Sequence, residues 1–479
     1  MPAMKLLSFA FASLLALPAV AQTPTFPSVA YANLGGRDLL LDVYVPMTGS
    51  APFPTVVWIH GGGWSGGSRA PIPGGVASLL ARGIAVASVD YRLTSQAGLY
   101  GAFPVTFPAQ IEDVKGAIRF LRANAGTYGL DPTRFGAWGS SAGGHLAALV
   151  GTSGGVAALE GTTGGNLAFS SSVQAVCDWF GPIDVLQMNP DVTTPPGSGI
   201  DHDATTSPES RLIGFDQPGQ GIGVLRAHEF DPAAPYPFYV GLAHDLNPIT
   251  WVDANDPPFL VAHGTVDTSV PMHQSVRLAD ALRAAGVPYV YSQAIGLGHG
   301  LGGPHDVTVG LFFEQRFFST QTVDVLCSAD PTTATCPCGN AGDFGHGCSN
   351  SLDGSNGALL VAGGATPTQM ALQASGLPAN VSCIFLQGDL AAPPIPWGDG
   401  VRCVNGALLR LAANPAISGF ALFPDPAQGN PPIPARSAAA GAPIPPGGAR
   451  FYQVYYRNAA AFCTPGTFNA TNGVRITWP

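Results

Sequence analysis

The chain has 479 residues, too many for one ordinary domain, and 46% of them are hydrophobic against 10% charged, which excludes a disordered solvating polymer. Its formal net charge is −10, lysine occurs only at Lys5 and Lys115, and no basic run exists, so neither nucleic acid nor an anionic lipid surface is an expected partner.

Residues 1–21 read as a secretion signal. Lys5 supplies the positive start, residues 6–17 an apolar run that ends at Pro18, and Ala19-Val20-Ala21 a cleavage site. The run is too short for a membrane span and no later one is long enough, so the mature chain is expected outside the cytoplasm. The first regular pattern is alternation over residues 39–44. Residues 55–59 then form a buried strand that runs into His60-Gly61-Gly62-Gly63-Trp64. Three consecutive glycines past a strand let backbone N–H groups converge on one point, as stabilising an oxyanion requires.

A helix over residues 76–82 and a strand over 84–89 follow, the latter ending at Asp90-Tyr91-Arg92. Residues 108–123 carry Ile111, Val114, Ile118 and Leu121 at helical spacing. Residues 135–149 read as strand, tight turn and helix. In the turn, Gly139-Ser140-Ser141-Ala142-Gly143 fits G-x-S-x-G with Ser141 at its centre, and Ser140 lacks that flanking. The glycines are needed because a strained turn lifts the serine hydroxyl toward solvent, and a side chain two residues away would collide with the adjoining strand or helix.

A strand over 173–180 leads to Gly181-Pro182-Ile183-Asp184. From about 186 to 246 the pattern dissolves, apart from a brief helix over 209–213, as in a lid or substrate-binding insertion. Regular order resumes with strands at 259–263 and 289–293 and helices at 276–285 and 307–318. Alternating buried strands and helices predict a mostly parallel sheet covered on both faces, an α/β domain.

Two loops at the carboxyl ends of those late strands hold the partners Ser141 needs. Asp267 follows the strand ending at His263, and His299 lies in Gly298-His299-Gly300, giving the chain order serine, acid, histidine. His299 would take the proton from Ser141, and Asp267 would orient the imidazole. The rivals are weaker: His305 stands beside a helix start, Asp253 and Asp256 precede their strand, His60 and His145 suit loop orientation, and His263, just before the acid, suits a supporting place behind it.

Together, His60 to Trp64, Asp90-Tyr91-Arg92, Phe107-Pro108-Ala109-Gln110, Glu112-Asp113-Val114, residues 138–146, residues 263–271 and His299-Gly300 resemble the α/β-hydrolase fold over residues 28–320. The resemblance is to its H-G-G-G-W carboxylesterase branch and, within it, the bifunctional feruloyl and acetyl-xylan esterase-like group. It implies oxyanion donors at the N–H groups of Gly62, Gly63 and Ala142, with Trp64 as an alternative donor and substrate-binding residue. It implies no metal or organic cofactor, and a small-molecule or polymer ester as substrate.

Residues 321–338 read as a linker. Residues 339–479 carry short apolar runs between Pro- and Gly-rich turns, an antiparallel β pattern expected to form a sandwich. This region resembles modules appended to secreted planctomycete and myxobacterial proteins. Tyr452, Tyr455, Tyr456 and Trp478 are either core residues or a contact for polysaccharide. Seven of the eight cysteines lie from Cys327 onward, as in local disulfide stapling, and Cys177 reads as a buried thiol. Cys336, Cys338 and Cys348 are spaced too tightly for an ordinary zinc site. Alternatives to an esterase are an amidase or peptidase of the same fold, and a surface-binding protein with a vestigial hydrolase domain.

Overall fold

A computed structural model describes residues 22–101, 104–192, 199–329, 335–352, 356–458 and 462–479. The expected leader, residues 1–21, lies outside the described residues. Eight strands form the first sheet: β1 (Phe26–Leu34), β2 (Arg37–Tyr44), β3 (Phe53–Ile59), β4 (Ala85–Val89), β5 (Leu130–Ser140), β6 (Ala175–Trp179), β7 (Phe259–Gly264) and β8 (Tyr289–Ala294). Their order is β1-β2-β4-β3-β5-β6-β7-β8. The pairs β1/β2 and β2/β4 are antiparallel, and every later pair is parallel.

Side chains alternate across this sheet as the two-residue period demands. From β3, Val57 and Ile59 enter one core, while Val56 and Trp58 enter the other. The first core is covered by α2 (Ala109–Ala123) and α4 (Ala142–Thr152), the second by α1 (Gly75–Ala81) and α9 (Pro304–Phe318). Between them come α3 (Ala125–Tyr128), α5 (Pro208–Ile213), α6 (Ile222–Ala227), α7 (Tyr236–Leu246) and α8 (His273–Ala285). All eleven residues of α4 are buried, and its sequence Ala-Gly-Gly-His-Leu-Ala-Ala-Leu-Val-Gly-Thr is apolar nearly all round, as an interior helix must be. This is the α/β-hydrolase architecture, with α5 to α7 as an insertion between β6 and β7.

Among the described residues the C-terminal region is β-rich, with a short α-helix at Ile433–Ala439 and a 3-10 turn at Pro426–Gln428. The stretch read as a linker contributes β9 (Thr322–Cys327), which pairs with the last strand. Its alternating Thr-Val-Asp-Val-Leu-Cys suits an edge strand, and the Thr/Asp content masked that pattern in the sequence. Next come β10 (Leu359–Gly363), β11 (Ala371–Ser375), β12 (Ser382–Gly388), β13 (Leu390–Trp397), β14 (Gly400–Asn405), β15 (Leu409–Pro415), β16 (Ala421–Phe423), β17 (Ala449–Arg457), β18 (Phe468–Ala470) and β19 (Gly473–Thr477). A three-stranded sheet, β10-β11-β16, and a larger one, β15-β12-β17-β19-β9, share a core that includes Leu360 and Leu372 from the first and Phe385 and Val454 from the second. Tyr452, Tyr456 and Trp478 are buried in that core, the first of the two readings open to them from the sequence. Only Tyr455 remains half-buried, against Trp397 and Phe468.

Disulfides join Cys327 to Cys403, Cys336 to Cys348 and Cys338 to Cys463, so the Cys-Pro-Cys residues are tied up in covalent bridges. Cys177 and Cys383 are buried thiols. No helix among the described residues is long and apolar enough to cross a membrane.

Candidate active site

The site is built where β5 turns into α4. Ser141 has φ 55° and ψ −126°, a conformation that costs an ordinary L residue about 1–3 kcal/mol. The glycines on either side make it possible. A Cβ on Gly139 would stand 2.1 Å from the Gly143 carbonyl oxygen, and one on Gly143 would stand 2.1 Å from that of Ile59 in β3. The Ser141 N–H donates to the Trp179 carbonyl at 2.9 Å, which pins the turn to β6.

From the end of β8, His299 reaches over this turn. Its Nε2 lies 3.0 Å from Ser141 Oγ, and its Nδ1 lies 2.7 Å from Asp267 Oδ2. The Phe180 ring packs 4.7 Å from the imidazole. Asp267, in the loop after β7, accepts from the Ser269 and Val270 N–H groups through Oδ1, at 2.7 and 3.0 Å. Burial opposes ionisation of Asp267, but hydrogen bonds from His263 and His299 outweigh it and hold the carboxyl well below the usual carboxylate range. His263 is buried behind it, with Nε2 3.0 Å from the Val270 carbonyl and Nδ1 2.7 Å from Ser275 Oγ. This geometry suits proton transfer from a serine hydroxyl to a fixed imidazole.

The glycine loop after β3 crosses the turn. Gly62 and Gly63 have φ 112° and 57°, and Trp64 continues at 53°. Gly61 to Trp64, Ser141, Ala142 and His299 all line one pocket of about 750 Å³. Trp64 borders that pocket, yet its indole is 1% exposed and its N–H donates to His145 Nδ1 at 3.3 Å. The ring therefore ties the glycine loop to α4 more than it offers a face to substrate. His145 Nε2–H in turn donates to the Leu246 carbonyl at 2.9 Å, and burial lowers its pKa to about 4, so it stays neutral. His60 stacks on Tyr91 at 4.4 Å and bonds the Gly61 carbonyl, a loop-orienting role.

The rival residues fall elsewhere. His305 is buried in the first turn of α9 against Phe420, with its pKa lowered to about 4 by burial. Asp253 and Asp256 hydrogen-bond each other's turn before β7, at the end of the strand remote from Asp267. Sequence reasoning missed Phe180, which has φ 44° and follows β6 directly. Its place at the carboxyl end of a parallel strand was the available signal. It also missed His202 and Glu209, which line the same pocket from the insertion.

The profile of the BD-FAE family matches residues 41–282, about half of the chain. Esterase LipC of Mycobacterium tuberculosis is 30% identical over 273 residues, covering 55% of this chain and 59% of that protein. Esterase LipQ of the same organism is 29% identical over 259 residues, covering 53% and 52%. The chain thus spans little more than half the length of these curated relatives. A solved structure described as a truncated form of a carbohydrate esterase from gut microbiota is 30% identical, covers 62% of this chain and 97% of its own, and superposes with a TM-score of 0.51.

Proposed function

The chain belongs to the BD-FAE family, and from that premise we propose that it is a serine carboxylesterase working through an acyl-enzyme. One observation carries the reading: the hydrogen-bonded series Ser141, His299, Asp267, with spacings of 3.0 and 2.7 Å, opens on a pocket of about 750 Å³. In the proposed reaction His299 Nε2 accepts the Ser141 proton as Oγ attacks the ester carbonyl. Asp267 keeps Nδ1 protonated and stabilises the imidazolium. The N–H groups of Gly62, Gly63 and Ala142 receive the charge that develops on the carbonyl oxygen. Collapse expels the alcohol, which takes its proton from His299, and water then releases the acid by the reverse course.

The proposed substrates are short acyl, acetyl or feruloyl esters, as small molecules or on a polysaccharide or polyester. The esterase names of LipC and LipQ and the carbohydrate esterase likeness agree with that class. We extend the proposal to an exported protein, which three disulfides support, since such bonds persist in oxidising compartments. Contact of the C-terminal region with a polymer belongs to the same proposal, with Trp397 and Tyr455 as two half-buried aromatic rings outside its core.

The test is a pair of serine variants on p-nitrophenyl esters from C2 to C12, beside acetyl-xylan and methyl ferulate. Ser141→Ala should lose a factor of roughly 10⁴ or more in kcat, whereas Ser140→Ala should keep much of the turnover. Labelling of Ser140 by a phosphonate probe would overturn the assignment.

A further inference from the structure

The insertion places two ionisable side chains in the pocket wall. His202 and Glu209 line the pocket that holds Ser141 and His299, and each is only 2% exposed. His202 Nδ1 and Glu209 Oε1 are 2.9 Å apart. Each residue keeps one buried polar atom without a hydrogen bond, Nε2 on the histidine and Oε2 on the glutamate. The histidine nitrogen is directed toward the Ser269 carbonyl but closes no bond of ordinary geometry.

Glu209 is not needed to start its helix. Glu209 stands in the first turn of α5, but that end is already capped, Ser207 Oγ accepting from the Ser210 N–H at 3.1 Å. A buried carboxylate with an unused acceptor is costly, and a buried ion pair is commonly replaced by apolar groups without loss of stability. An unused acceptor on a residue that lines the same pocket as Ser141 points to a ligand that completes it. Glu209 shares its pocket with the acid loop, since Ser269 and Val270 are part of the same lining and the Gly199 N–H donates to the Thr268 carbonyl at 2.7 Å.

We propose that Glu209, steadied by His202, is a specificity-determining residue that accepts a hydrogen bond from a substrate hydroxyl adjacent to the scissile ester. The site then selects hydroxyl-bearing esters over their plain aliphatic counterparts, because the latter leave Oε2 unpaired. This deepens the esterase reading above and rests on it.

The experiment compares kcat/KM for the parent, Glu209→Gln, and the apolar pair Glu209→Leu with His202→Phe. Two matched substrate pairs are used: trans-2-hydroxycyclohexyl acetate against cyclohexyl acetate, and methyl glycolate against methyl acetate. In one pair the ratio of hydroxylated to plain ester should fall by roughly tenfold or more in both variants. A fall in the first pair puts the hydroxyl in the alcohol, and a fall in the second puts it in the acyl group. A merely structural role lowers both members alike and leaves the ratio unmoved, which would overturn the proposal. If Glu209→Gln melts before assay, the apolar pair, which leaves no charge unpartnered, decides the matter. A parent inactive on all four esters and unlabelled by a phosphonate at Ser141 sinks the esterase reading itself and this proposal with it.

Discussion

Asp267 receives hydrogen bonds on both carboxylate oxygens, from two backbone N–H groups and from His299, so the imidazole has one orientation available. That arrangement fixes the Nδ1–H tautomer and aims the Nε2 lone pair at Ser141. His299→Ala should cost roughly 10³-fold or more in kcat, measured on p-nitrophenyl acetate. His305→Gln should stay within severalfold of the parent, because its ring lies against Phe420 and outside the pocket. Turnover by His299→Ala equal to the parent's would move the base elsewhere. Acid should depress kcat/KM, since an imidazolium has no lone pair with which to take the serine proton. The depressed carboxyl of Asp267 adds a second sign: its contribution to stability is present above the ordinary carboxylate range and fades only as pH falls below it. The three residues joined in this series were each marked locally in the sequence, Ser141 by flanking glycines and the other two by loops at strand ends. His202 and Glu209 carried no such mark, because only the folded insertion brings them to the pocket.

At the scale of elements, the turn between β5 and α4 is held by close backbone approach as much as by hydrogen bonds. Gly143→Ala would force its new Cβ against the Ile59 carbonyl, so β3 and α4 must separate. A loss of roughly 2 kcal/mol or more is expected by denaturant unfolding, together with most of the activity. A stable, fully active Gly143→Ala would refute this account of the turn. Beside it in β6, Asp178 is fully buried, with Oδ1 accepting from the Gly181 N–H and Oδ2 without a partner. Burial pushes its pKa up to about 7. Because that lies above the unfolded value, the fold prefers the protonated acid. The stability this preference contributes is full below about pH 4 and lost as pH rises toward neutrality, at most about 1.4 kcal/mol per pH unit. Asp178→Asn should therefore gain melting temperature over the parent as pH rises from 4 to 8, and a gap independent of pH would refute the assignment. The β/α alternation was legible because buried parallel strands are short apolar runs between glycines. Helix α7 was not: its buried stripe is only Val240, Ala243 and Leu246, while Phe238 points outward at 65% exposure and blurs the period. Strand β1 was missed for a similar reason, since most of its side chains are not buried.

Across the whole molecule, two cores meet along α9 and β8. Thr308 Oγ1 donates to Gln373 Oε1 at 2.7 Å in a buried contact, and Gln293 Nε2 donates to Asp343 Oδ2 at 3.0 Å. Gly363 of β10 lies so close to α9 that a Cβ there would be 2.5 Å from the Leu311 carbonyl oxygen. The C-terminal sheets therefore cover a face of α9 that would otherwise be wet, and a chain ending at Thr320 should melt several degrees lower. Its chemistry should survive, because Ser141, His299 and Asp267 are held by β5, β7, β8 and their loops, and the three disulfides lie wholly within residues 327–463. The bridges close separations of 76, 12 and 125 residues, and losing such bridges commonly costs about 2–5 kcal/mol each. A reductant should accordingly bring down the C-terminal region first. Calorimetry of the full chain is expected to show one transition moving to lower temperature on reduction, while turnover of p-nitrophenyl acetate at 25 °C stays within severalfold. The truncated chain should match the reduced one in turnover and show no response to reductant. A truncated chain that is folded but inactive would mean that the C-terminal region helps build the pocket, and the separation of the two cores proposed here would have to be given up.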